Sequence, residues 1–257
     1  MKIISVRKGF TADHSSTSYE FLAIDRPLDP QARSAVASLS RRARPTSRRV
    51  SFVYNVDGYD IPGGWEALME KYYDVMYMES YGWWLLAMAF NASPGQRQAL
   101  KEYAFDGVED LGVEILTRGN RVIVAIHCQL EEGFAPDEGW EAYDEDPDEE
   151  EEEGNGEDGD EDEDHGESVA RNKAEQVVVV ETDNYLLNLL GQIRRQLMAG
   201  DYRALYAVWE KYRYYDDEEG ESEDEAEGEK EEGPPVPPEK ETGKQVISAL
   251  RDLLVVP

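Results

Sequence analysis

Five arginines, Arg41, Arg42, Arg44, Arg48 and Arg49, fall within nine residues with no acid between them. Guanidinium forks match the oxygens of phosphates and carboxylates, so this run is the expected anion-binding site. It also has a blander reading, since cations complement a helix C-terminus and charge runs usually face water. A second concentration of chemistry spans 54–84, where Asp57, Asp60, Glu66, Asp74 and Glu79 are interleaved with tyrosines and tryptophans from Tyr54 to Trp84. Two carboxylates in an aromatic cleft can act as general acid and base on an anionic or sugar-like substrate. Asp57, Asp60 and Glu66, with His14 from the hydroxyl-rich stretch 11–18, are therefore the catalytic candidates. Against them, Asp-Gly and Pro-Gly pairs are ordinary turn formers, and Ser and Thr stabilise turns through their own backbone.

The remaining reactive groups point to little. His127 and Cys128 are neighbours on an expected strand and would face opposite sides, so they form neither a dyad nor a shared metal site. No Gly-x-Ser-x-Gly elbow, Gly-Lys-Ser/Thr phosphate loop or His-Glu-x-x-His zinc helix occurs. No cofactor and no metal is expected. Cys128 is the only cysteine, which excludes an intrachain disulfide and suits a reducing compartment. The longest apolar runs fall well short of the roughly 20 residues of a membrane-spanning helix, and the N-terminus lacks the apolar core of a signal peptide. A soluble, cytoplasmic protein with no membrane association is expected.

The formal charge of −31 is unevenly spread. Residues 144–164 hold 16 acids and no base, and 216–232 hold 12 acids and one lysine, together −27 of the total. The rest is nearly neutral, so the charge belongs to two segments rather than to an acidic folded surface. Such runs solvate a linker or attract a basic protein surface, and they make nucleic acid an unfavoured partner.

These features sit in an expected α+β fold. Residues 1–130 form one domain, a mixed sheet with two or three helices, its strands expected at Lys2–Val6, Tyr19–Ile24, Val50–Val56, Asp74–Met78, Trp83–Phe90, Val113–Thr117 and Arg121–Cys128. Trp83–Phe90 is apolar at every position, as a central strand would be. Helices are expected over Pro30–Arg42, over Gly64–Tyr72, and from Ser93, where Pro94 and Gln96 complete a capping box. Residues 131–173 are an acidic linker whose ordering entropy nothing repays, so disorder is expected. Over 174–214, a lead-in is followed by a helical hairpin: Thr182 caps one helix, Gly200 stops it, and Asp201 caps the next. Residues 215–241 are an acidic and Pro-rich linker, and 242–257 a short terminal helix. The hairpin is too small to be stable alone, so its apolar residues Leu205, Trp209 and Tyr212 are the expected partner-binding surface.

The run Gly200-Asp201-Tyr202-Arg203-Ala204-Leu205-Tyr206 with Trp209, followed by Pro234-Pro235-Val236-Pro237-Pro238, resembles a family of uncharacterised bacterial proteins. The resemblance covers the C-terminal quarter, implies a bacterial origin and carries no catalytic residue. The leading expectation is a non-enzymatic adaptor that binds a protein partner, a basic surface being one candidate. An Asp/Glu-based enzyme and an anion or nucleic-acid binder at Arg41–Arg49 are the alternatives. Oligomeric state is not legible.

Overall fold

A strand with one wet face alternates apolar and polar residues, whereas Trp83–Phe90 has no polar position at all. In the computed structural model this run is β4 (Trp83–Asn91), in the middle of one antiparallel sheet with both faces covered. The structure describes residues 17–54, 61–131, 134, 182–213 and 233–256. The expected strand Lys2–Val6, the lead-in 174–180 and both acidic runs lie outside them.

In chain order the elements are β1 (Thr17–Leu22), α1 (Pro30–Ala37), β2 (Arg49–Tyr54), α2 (Trp65–Lys71), β3 (Val75–Ser80), β4, α3 (Pro94–Lys101), β5 (Phe105–Asp106), β6 (Gly112–Arg118), β7 (Arg121–Leu130), α4 (Tyr185–Met198), α5 (Arg203–Tyr212), α6 (Lys244–Leu253) and β8 (Leu254–Val255). The sheet order is β2-β1-β3-β4-β7-β6-β5, with β8 paired to β7. Every pairing among the described strands is antiparallel, which corrects the expected mixed sheet. The reason is local. Tight turns join β3 to β4 and β6 to β7, and Tyr81 and Gly82 both take positive φ (54° and 82°), as a two-residue turn matched to strand twist requires.

The pleat sends alternate residues to two cores. Phe21, Phe52, Met76, Leu85, Ala87, Ile123 and Ala125 meet Val36 of α1 and Leu68 and Met69 of α2 on one face. On the other, Leu22, Val75, Leu86, Met88, Phe90, Val124 and Ile126 meet Leu100 of α3 and the apolar stripes of α4, α5 and α6. α4 crosses β3 and β4, α5 lies over β6, and α6 packs against both α4 and α5. The C-terminal elements therefore share one core with the sheet where they are described. β8 strengthens that union by pairing Val255 with Gln129 and Leu254 with Leu130.

Several boundaries moved for identifiable reasons. The capping box at Ser93 and Gln96 forms as expected. α1 stops at Ala37, where the Ser38 hydroxyl donates to the Ala35 carbonyl, and does not continue to Arg42. α4 is capped by Asn184, which accepts from the Leu187 amide at 2.8 Å, while Thr182 braces Asn184 and Asn188. α5 begins after Tyr202 because the Asp201 carboxylate is drawn to Arg203. The terminal helix gives way at Leu254 to β8. Gly112, at φ 156°, crosses so close to β5 that a Cβ would stand 2.2 Å from the Phe105 carbonyl oxygen.

Candidate functional site

The five arginines do not converge. Arg48 donates to the carbonyls of Ala23 and Ile24 at 3.0 Å each, Arg49 approaches Glu20 at 3.7 Å, and Arg44 folds back onto the carbonyls of Arg41 and Ala43. Arg41 and Arg42 are exposed. The run lies in the turns between α1 and β2, where Arg44, Arg48 and Arg49 each take a different partner within the fold. Of the catalytic candidates, His14, Asp57 and Asp60 lie outside the described residues. Glu66 sits in the first turn of α2 with Oε2 folded over Gly64, where a Cβ would meet it at 2.4 Å. Cys128 is buried in the core shared with α3 to α6, where burial raises its thiol pKa, whereas His127 lies on the opposite face, 3.7 Å from Glu114. Among the described residues no group of three His, Cys, Asp or Glu could hold a metal, and no helix is long and apolar enough to cross a membrane.

Spacing gave no sign of a buried ionic network at one end of the sheet. Asp74, between α2 and β3, accepts from the amides of Ile24 and Asp25 at 2.7 and 2.8 Å through one oxygen. The other oxygen receives Arg121 at 2.7 Å and Arg194 at 3.4 Å. Arg121 also donates to the Met69 and Tyr73 carbonyls, closing the end of α2. Arg194, only 2% exposed, donates to the Ala89 carbonyl at 2.7 Å and holds Asp25 through both oxygens, at 2.9 and 2.6 Å. Both guanidinium groups are engaged by backbone carbonyls and carboxylates of the protein, so this cluster ties α4 to the sheet.

The expected partner-binding residues divide in the same way. Leu205 and Tyr212 are buried against the sheet, and the Tyr212 hydroxyl meets the Gln129 backbone at 3.3 Å. The inner face of the hairpin is thus covered by the sheet and α6, while Tyr185 and Met198 of α4 stay exposed. Trp209 is half-buried and pairs with Tyr206 at 5.3 Å, while Tyr202 pairs with Tyr103 at the same distance. The segment 233–240 meets two of these rings: the Tyr103 hydroxyl donates to the Pro235 carbonyl at 2.8 Å, and a Cβ on Gly233 would stand 2.2 Å from the Trp209 ring. Arg203, held by both Asp201 oxygens at 2.9 and 2.7 Å, fastens the far end by donating to the Lys240 and Thr242 carbonyls. The two motifs that the sequence set some 30 residues apart therefore meet face to face.

The Arg203 hydrogen bond holds the Asp201 carboxyl below its usual pKa. A carboxyl depressed in the folded state stabilises the fold above the ordinary carboxylate range and loses that contribution as pH falls through its folded value. Asp201→Asn should accordingly be less stable than the parent at pH 7, with the gap closing on acidification. Urea midpoints of both proteins between pH 7 and 3 test this, and a gap independent of pH would reject it.

On the outer side of α6 lies a groove of about 360 Å³. Glu131, just past β7, and Asp252 supply its charge, Gln245 and Ser248 its neutral polar groups, and Ala249 and Leu253 an apolar floor. Tyr185, 50% exposed at the start of α4, forms one wall and leans on Phe134, which in turn meets Trp84. No basic side chain lines the groove among the described residues. Carboxylates flanking an exposed ring over an apolar floor suit a cation with an aliphatic stem. Comparison with protein-family models, with curated proteins and with solved structures gave no match to this chain.

Proposed function

We propose that the chain is a protein-binding module that seats a basic segment of a partner in the groove of Glu131, Tyr185 and Asp252. The carrying observation is the lining itself: two acids, an exposed aromatic wall and an apolar floor, with no base among the described residues. A lysine or arginine stem would lie along Tyr185 while its head reaches a carboxylate. The acidic runs at 144–164 and 216–232 act in this reading as solvating tethers whose field raises the encounter rate with a basic surface, an effect that salt weakens. The helices over 182–213 serve as the docking unit, in a cytoplasmic setting that suits the single buried Cys128. The binding reading is favoured over an enzyme because Asp74 and the arginines around it are spent on holding α4 to the sheet.

The test is fluorescence anisotropy of a dye-labelled peptide of alternating lysine and leucine at 150 mM salt, against the full chain and its Tyr185→Ala and Glu131→Gln/Asp252→Asn variants. The variants keep both acidic runs, so attraction to those runs is common to all. Tenfold or greater weakening in both variants is expected. Equal affinity throughout would assign binding to the acidic runs and reject the groove.

A further inference from the structure

The groove at Trp209 is distinct from the one at Glu131, and its present occupant defines the ligand it fits. Along 233–240 the less exposed positions are Pro234, Pro237 and Lys240, a repeat of three, and Val236 between them is 75% exposed. Three residues per turn is the period of the polyproline II helix, which forms no internal hydrogen bonds and leaves its carbonyls free for a partner. One such carbonyl, that of Pro235, takes the Tyr103 hydroxyl. The Trp209 ring meets Gly233 at the start of the segment, Tyr202 and Tyr206 pack beside Tyr103 and Trp209, and Arg203 grips the far end. Aromatic furrows with a hydroxyl donor are how proline-rich peptides are recognised, because the ligand is already extended and little entropy is lost on docking.

We propose that Tyr103, Tyr202, Tyr206 and Trp209 form a polyproline-recognition groove, latched by Pro234–Pro238 in cis, that accepts a proline-rich segment of another protein when the latch lifts. The latch suits release. Arg213 lies 3.7 Å over the Trp209 ring and Gly233 touches the same ring, so the start of the latch lies beside the end of α5. The closed latch competes as an intramolecular ligand, which lowers the apparent affinity of a peptide by the fraction of open groove. A second copy of this chain is the less suitable donor, because two molecules at −31 repel.

The experiment is a nitrogen-15 NMR titration of the full chain with the peptide Gly-Pro-Pro-Val-Pro-Pro-Glu-Lys, following the Trp209 indole. Two latch variants are compared with the parent: Gly233→Ala, whose methyl collides with Trp209, and the quadruple change Pro234→Ser, Pro235→Ser, Pro237→Ser and Pro238→Ser. At least one should keep a dispersed spectrum. Saturable binding at least tenfold tighter than in the parent, lost when Trp209→Ala is added and several-fold weaker with Tyr103→Phe, is expected. No binding to either folded latch variant, or binding indifferent to Trp209→Ala, overturns the proposal. So does unfolding of both variants, since a latch that the fold requires cannot lift. Sedimentation of a latch variant as a dimer without peptide would overturn the assignment to another protein in favour of a second copy.

Discussion

Asp74→Ala should cost about 3–5 kcal/mol of folding stability, the range for removing one partner from a buried, hydrogen-bonded ion pair. The change strips Arg121 and Arg194 of a shared carboxylate and leaves the Ile24 and Asp25 amides without their acceptor. Arg194 is almost fully buried and cannot reach water, so its charge would be held only by the Asp25 pair and the Ala89 carbonyl. Against the 5–15 kcal/mol of a typical domain, that loss would leave a sizeable fraction unfolded or a marginal fold. Asp25→Ala is the comparison: its half-exposed carboxylate leaves room for water to reach the Arg194 head in its place, so a smaller loss than for Asp74→Ala is expected. Urea unfolding at pH 7 reads both. A loss below about 1 kcal/mol for Asp74→Ala would mean that water replaces the carboxylate and that the network is not a structural tie.

Leu250→Ala should cost about 2–5 kcal/mol and, more tellingly, should lower a single cooperative transition. Leu250 on α6 is fully buried in the cluster that contains Val124 and Ile126 of β7 and Phe90 of β4. A cavity there weakens the sheet and the helical layer together. The check is hydrogen exchange: amides of β4 and β7 should lose protection alongside those of α4 and α6, all by the same free energy. If α6 loosens while the sheet keeps its protection, the C-terminal layer is a separate unit, and the shared-core account fails.

The acidic groove and the polyproline latch lie on this same helical layer, and both depend on α6 and the segments around it. Loss of peptide binding by a groove or latch variant is therefore informative only when exchange in β4 and β7 is unchanged.

Much of the local structure was legible because it rests on short-range physics. The unbroken apolar run of β4, the Ser93 capping box, the stripe Leu186, Leu189, Leu190, Ile193 and Leu197, and Gly200 behind it each carry their own signal within a few residues. The opposed faces of His127 and Cys128 follow from the two-residue strand period. Boundaries were less legible, because Ser38, Asn184 and Asp201 compete for backbone and side-chain partners that are chosen only once neighbours are in place.

By itself, then, the sequence determined an α+β chain with one continuous apolar strand at its centre, amphipathic C-terminal helices, two acidic segments holding most of the charge, and a proline-rich piece. Whether those helices stood apart or shared the sheet's core was decided by tertiary packing, which spent Leu205 and Tyr212 inside the molecule. Packing also split the arginine run and drew Asp74, Arg121 and Arg194 together across 120 residues. It laid Pro235 beside Tyr103 from 132 residues away. The physical reason is common to all four: sequence periodicity encodes which face of an element is apolar, whereas long-range hydrogen bonds and ion pairs depend on which elements meet, and that is settled by the joint burial of all the faces at once.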